Sequence, residues 1–126
     1  MAFEVNRELE QQQLPQLSMW QFLLWACGCL KRRRVSGRSM EPTLSPGDEL
    51  LIDTRARFRQ RLEMGDIVLC QHPTSRLPMI KRVVSGDIER GEYFVQGDNP
   101  AYSSDSHQFG VLHSQHIMGR VVCQFA

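Results

Sequence analysis

Turn-forming residues divide the chain from Val35 onward into pieces too short for a long helix. Pro42, Pro46-Gly47-Asp48, Gly65-Asp66, Pro73, Pro78, Gly86-Asp87, Gly91, Gly97-Asp98 and Pro100 follow one another at short intervals. Glycine opens backbone conformations closed to other residues, and proline removes a backbone donor, so each cluster ends the element before it. The runs between them are Glu49–Asp53, Ile67–Gln71, Met79–Val84, Tyr93–Val95 and Ile117–Gln124, all with strand composition. Bounded in this way they predict strands. No apolar period of 3.6 residues persists over three turns here, although Thr54–Leu62 has the composition of a short charged helix or loop. The expectation is a mostly β domain over residues 35–126, with a core of Leu50, Ile52, Ile67, Leu69, Ile80, Val83, Val84, Phe94, Ile117, Val121 and Val122.

Residues 1–34 differ in character. Phe3 to Gln13 is polar, without glycine or proline, and reads as a short helix or loose arm. Met19 to Leu30 is almost uninterruptedly apolar, but its 12 residues fall short of the ~20 that a helical bilayer crossing needs. A secretory signal fits poorly, because the basic cluster Lys31-Arg32-Arg33-Arg34 comes after the apolar run instead of preceding it. If the segment did cross a membrane, that cluster would, on the positive-inside tendency, keep the domain C-terminal to it in the cytoplasm. Residues 19–34 then either dock on the domain or rest on a membrane surface. A cytoplasmic, peripherally membrane-associated protein is expected, with a membrane-anchored form as the alternative.

At 126 residues the chain has room for one domain and an appended segment. Its formal net charge of +1 gives no electrostatic reason to expect a nucleic-acid partner. Cys27, Cys29, Cys70 and Cys123 form no C-x-x-C pair, so neither zinc nor a redox motif is indicated, and thiols of this kind fit a reducing compartment. His113 and His116 lack a third ligand at suitable spacing, so no metal is expected.

The chemistry concentrates in two segments. Ser39 lies in Ser36-Gly37-Arg38-Ser39-Met40-Glu41-Pro42-Thr43-Leu44, and Lys81 stands 42 residues later in Met79-Ile80-Lys81-Arg82-Val83-Val84. A serine hydroxyl is a weak nucleophile until a neighbouring base takes its proton. Lysine serves as that base only when neutral, which calls for a pKa brought from ~10.4 toward ~7–8, and desolvation acts in that direction. On an extended Met79–Val84, Lys81 shares a face with Met79 and Val83, whose apolar side chains strip water from its head. Arg82 points the other way and cannot be the base, because guanidinium does not deprotonate in proteins. Gly37 permits close approach of a substrate, Pro42 stiffens the turn, and the Ser39 backbone N–H is a candidate oxyanion donor. A histidine mechanism is the rival, drawing on His72, His107, His113 or His116 with Asp98 or Asp105.

Taken in order, Gly37-x-Ser39-Met40-x-Pro42-Thr43-Leu44-x-x-Gly47-Asp48, Gly65-Asp66-Ile67-Val68, Lys81-Arg82-Val83, Gly97-Asp98-Asn99 and Ser103-x-Asp105-Ser106 resemble the type I signal peptidase family. The likeness runs from about Val35 to Phe125. It implies a catalytic domain of coiled antiparallel sheets without a cofactor, with Ser39 as nucleophile and Lys81 as general base. Gly37, Met40 and Pro42 fall in the oxyanion and substrate turn. Ser103 matches the serine that orients the lysine, Gly97, Asp98 and Asn99 match the floor of the site, and Asp105 matches a structural carboxylate. Two positions depart from the pattern: His107 stands where many members carry an arginine paired with the aspartate, and Gly37 where some bacterial members carry a serine hydroxyl.

The implied reaction is removal of an N-terminal leader from a precursor protein, with small side chains near the scissile bond. Among short forms, the chain is similar to the maturation proteases of nickel-type superoxide dismutase, which makes that precursor the first expectation. A minimal signal peptidase acting on secretory leaders is the alternative. A self-cleaving domain like that of SOS repressors is a further one, although Pro42-Thr43 and Gly97-Asp98-Asn99 do not suit it and no helix-turn-helix precedes it.

Overall fold

The computed structural model describes Met19, Gly28 and residues 30–55, 62–103 and 106–125. The expectations for Phe3–Gln13, for most of the apolar run, for residues 56–61 and for Asp105 lie outside the described residues. Among the described residues, no helix is long and apolar enough to cross a membrane.

Seven strands appear in chain order as β1 (Leu30–Arg34), β2 (Glu49–Asp53), β3 (Ile67–Gln71), β4 (Pro78–Asp87), β5 (Glu92–Gln96), β6 (Leu112–His113) and β7 (Ile117–Phe125). One short helix, α1 (Ser106–Phe109), and 3-10 turns at Pro100–Tyr102 and Ser114–His116 complete the described elements. The strands form one curled antiparallel sheet in the order β1-β2-β7-β3-β4-β5-β6. The mostly β, signal-peptidase-like fold expected from the sequence is the fold observed.

All five runs read as strands are strands, β2 and β3 with the same bounds. The sequence reading missed β1 and β6. β1 carries Lys31-Arg32-Arg33-Arg34, which looks like a solvated basic run; it is an edge strand on which only Leu30 is buried. Charged edge strands are a common defence against unwanted pairing, so the same residues serve as surface and as ladder. β1 pairs with β2 over its whole length, from Leu30↔Asp53 to Arg34↔Glu49, which makes the basic cluster part of the sheet.

Both faces of the central strands are covered. Ile67 and Leu69 of β3 join Val35, Met40, Leu44, Leu50, Ile52 and Val121. Val68 and Cys70, pointing the other way, join Leu62, Val83, Tyr93, Val95, Leu112 and Ile117. A strand buried on both sides loses the alternation of apolar and polar residues, and β2 and β3 show continuous apolar runs for that reason. Seven of the expected core residues are buried: Leu50, Ile52, Ile67, Leu69, Val83, Ile117 and Val121. Ile80, Val84, Phe94 and Val122 are only partly buried. In β5 the inward residues are Tyr93 and Val95, leaving Phe94 on the opposite face, where its ring meets His107 edge-on at 5.0 Å.

Candidate active site

The site begins in the connection between β1 and β2. Val35 N–H donates to the Asp48 carbonyl (2.8 Å) and Gly47 N–H to the Val35 carbonyl (2.8 Å), closing a loop whose tip carries Ser39. Gly37 adopts φ = 87°, in the left-handed region where a β-carbon is strained, so a glycine is required there for conformational reasons. Beyond Ser39 the chain tightens: Glu41 N–H donates to Arg38 (3.2 Å), Leu44 N–H to Met40 (2.9 Å), and the Glu41–Pro42 peptide is cis. Met40 and Leu44 are buried in the core cluster and moor the turn from below. Met40, grouped by the sequence with the substrate turn, is thus an anchor that also lines the cleft, whereas Pro42 is exposed and does not line it.

Lys81 enters from β4, an interior strand between β3 and β5. It stands opposite Val68 in the ladder, shares its face with Met79 and Val83 as expected, and is 3% exposed. Its Nζ donates to Ser103 Oγ at 2.9 Å, and Ser103 Oγ also accepts the Gly97 N–H at 3.2 Å. The surroundings are dry. Burial pushes the nearby Cys70 thiol up to about 12, against the opposing pull of the Lys81 charge, so Cys70 is a packed apolar group and no nucleophile at neutral pH.

Gly97, Asp98 and Asn99 join the two halves. Asn99 N–H donates to the Ser39 carbonyl (2.8 Å), and Asn99 Nδ2 to the Arg38 carbonyl (3.1 Å). A β-carbon on Gly97 would fall 2.6 Å from the Ser39 carbonyl oxygen and 2.3 Å from Ser103 Oγ, so only glycine lets these segments approach. Asp98 accepts Thr43 Oγ1 at 2.6 Å and receives a two-pronged contact from Arg82, Nε to Oδ1 at 3.0 Å and Nη2 to Oδ2 at 2.8 Å. Arg82 Nη1 also donates to the Gly65 carbonyl at 2.8 Å. Four separate segments therefore meet on one guanidinium–carboxylate pair. Arg82, which the sequence reading named only within the Lys81-Arg82-Val83 motif and as a group that cannot be the base, is the positioning contact it gave no role. The available signal was the coincidence of a fixed cation beside Lys81 and an aspartate in a glycine-bounded turn.

Ser39 and Lys81 face a common cleft of about 600 Å³, whose lining also includes Gly37, Met40, Ile80 and Tyr102. None of the four histidines lines it. His72 accepts backbone N–H groups of Thr74 and Ser75 through Nδ1, and His116 accepts that of His113, so each has a local structural task. Of the sequence-predicted residues, the structure gathers Gly37, Ser39, Met40, Lys81, Gly97, Asp98, Asn99 and Ser103 in one neighbourhood. Among the described residues no cluster of three or more histidine, cysteine or acidic side chains is arranged to hold a metal.

Comparison with known proteins places this chain in a family. The profile described as Signal peptidase, peptidase S26 matches residues 16–87 and 84–126. The chain is 27% identical to Signal peptidase I V of Bacillus subtilis, over 68% of this chain and 80% of that protein. It is 32% identical to Mitochondrial inner membrane protease subunit 1 of Schizosaccharomyces pombe, covering 71% of this chain and 69% of that protein. Identity reaches 36% with Mitochondrial ATP-independent inner membrane protease subunit 1b of Arabidopsis thaliana, over 68% of this chain and 64% of that protein. These matches define a serine-type endopeptidase. The chain belongs to the signal peptidase, peptidase S26, family.

Proposed function

We propose that Ser39 and Lys81 form a catalytic dyad that removes an N-terminal leader from a precursor protein. Ser39 Oγ attacks the scissile carbonyl as the neutral amine of Lys81 takes its proton. The oxyanion is met by the Ser39 backbone N–H, with no side-chain hydroxyl at position 37 to assist. Lys81 then delivers the proton to the departing amine, and activates the water that releases the acyl group from Ser39. Ser103 fixes where Nζ points, while the Arg82–Asp98–Thr43 contacts hold the serine turn against β4. The observation that carries this reading is Lys81: 3% exposed, bonded to Ser103, and lining the same cleft as Ser39.

The relatives bear the names of signal peptidases and inner membrane proteases, which favours leader removal in general as the activity. A second reading narrows the precursor to nickel-type superoxide dismutase. Its support is the brevity of the domain, in which β4 and β5 are joined by Ile88–Gly91 alone. Incubation with each kind of precursor, reading the product by intact mass, separates the two. The native chain is expected to cut one bond and expose one new N-terminus, and Ser39→Ala to leave the precursor whole. Cleavage by Ser39→Ala would remove the serine from the mechanism. Processing of secretory leaders but not of the dismutase would discard the narrower reading.

A further inference from the structure

The charge on the cleft is not explained by the reaction. The whole chain carries a formal net charge of +1, yet the cleft lining contains Arg33, Arg34, Arg38 and Lys81 and, among the described residues, no acidic side chain. Lys81 has its place in the chemistry. Arg34 is bonded to Glu49, and Arg38 is bonded to Glu41 (2.7 Å) and lies 4.6 Å over the Tyr102 ring. Arg33 has no ion pair among the described residues and is exposed. Its direction is set by the ladder. Arg33 stands opposite Leu50, and directly paired residues project on the same face. Leu50 packs in the cluster that contains Met40 and adjoins Ile80, both of which line the cleft. Arg33 therefore presents an uncompensated guanidinium on the cleft side of the edge strand, with Arg38 on the same rim.

Resting on the proposed leader peptidase reading, we infer that Arg33 is a specificity-determining residue, selecting precursors with an acidic side chain within a few residues of the scissile bond. A guanidinium offers a planar pair of donors matched to a carboxylate, and one without an ion pair at the edge of a groove draws the opposite charge of a ligand that enters it. A neutral precursor can still be cut, but more slowly at low concentration.

The test uses the full chain and one alanine-rich peptide series, with Glu, Gln or Lys placed in turn at each of four positions on either side of an Ala–Ala bond. The readout is the ratio of kcat/KM between peptides that differ at one position. Wild type is expected to favour Glu over Gln about fivefold at one or two positions, the size of an exposed ion pair. That preference should shrink toward unity at 1 M NaCl, where the screening length falls to about 3 Å. Arg33→Gln should level the ratio, and Arg33→Glu should invert it, so that Lys becomes the favoured residue. An inversion is a gain that misfolding cannot produce. Equal rates for Glu and Gln in wild type, or a Glu preference that survives in Arg33→Gln, would overturn the inference while leaving the peptidase intact. Cleavage of none of the peptides or precursors would remove the leader peptidase reading and this inference with it. Weaker retention of Arg33→Gln on anionic lipid vesicles, with the peptide ratio unchanged, would assign the charge to a membrane and also overturn it.

Discussion

Two arginine–carboxylate clusters in this chain use the same chemistry to different ends. Beneath the cleft, Arg82 and Asp98 are 14% and 19% exposed, and between them they tie β4, the Gly65 turn, the Thr43 turn and the Gly97–Asn99 segment. At the sheet's edge, Glu49 is 9% exposed but its partners Arg32 and Arg34 are 51% and 71% exposed, and their bonds to Glu49 tie β1 to β2, already neighbours in the ladder. What distinguishes them is how many separate pieces of chain converge on one charge. A pair that joins distant segments fixes a geometry, whereas a pair across one ladder reinforces contacts the backbone already makes.

Breaking the first cluster should therefore cost far more than breaking the second. Asp98→Ala leaves the largely desolvated Arg82 without its carboxylate and Thr43 without its acceptor. A loss of about 2–4 kcal/mol in urea unfolding is expected, with kcat/KM falling as the serine turn loosens. An effect confined to a few tenths of a kcal/mol would make the pair a bystander. Ser103→Ala comes next. It removes the acceptor of a Lys81 Nζ hydrogen bond and of the Gly97 N–H, so a destabilisation of roughly 1–3 kcal/mol is expected for the two bonds lost. A fall of about 10²-fold in kcat should accompany it, because a base displaced by an ångström transfers protons poorly. Unchanged kcat in that variant would show that Lys81 does not depend on Ser103 for its orientation.

Glu49→Gln should have the smallest effect, and its pH dependence sharpens the contrast. The bonds from Arg32 and Arg34 hold the Glu49 carboxyl below the usual carboxylate range. A carboxyl depressed in the folded state stabilises above its unfolded value of about 4 and loses that contribution as pH falls through the depressed value. The stability gap between wild type and Glu49→Gln should be open at neutral pH and close in acid, with cleavage rates at neutral pH little altered. A gap that persists below pH ~2 would mean that packing, not charge, is what Glu49 contributes.

The same contrast runs through what the sequence made legible. Turn clusters and the strand-like runs between them gave the β architecture, because each signal is local. Ser39, Lys81, Ser103 and the Gly97–Asn99 turn were legible through motif order, which reports spatial convergence indirectly. Arg82 fell within a motif but its role was not legible, since that depends on Gly65 and Asp98, 17 and 16 residues away along the chain. β1 was missed because four consecutive basic residues carry no strand periodicity, and only the edge position makes them a strand. Tyr93 and Val95 in place of Phe94 reflect a register that depends on the irregularity between Val83 and Ser85 in the β4–β5 ladder. A one-residue slip moves every side chain to the other face, and composition alone does not fix it.

Every step of the proposed mechanism depends on Lys81 acting as the base. Lys81→Met retains the apolar stem in its buried position and removes only the amine, so its unfolding can be compared directly with that of wild type. Single-turnover cleavage of a leader-bearing precursor by the two proteins is the measurement. With folding preserved, the mechanism predicts a rate lower by about 10²–10⁴-fold or more, the contribution of a positioned general base. A folded Lys81→Met protein that cleaves at close to the wild-type rate would contradict it.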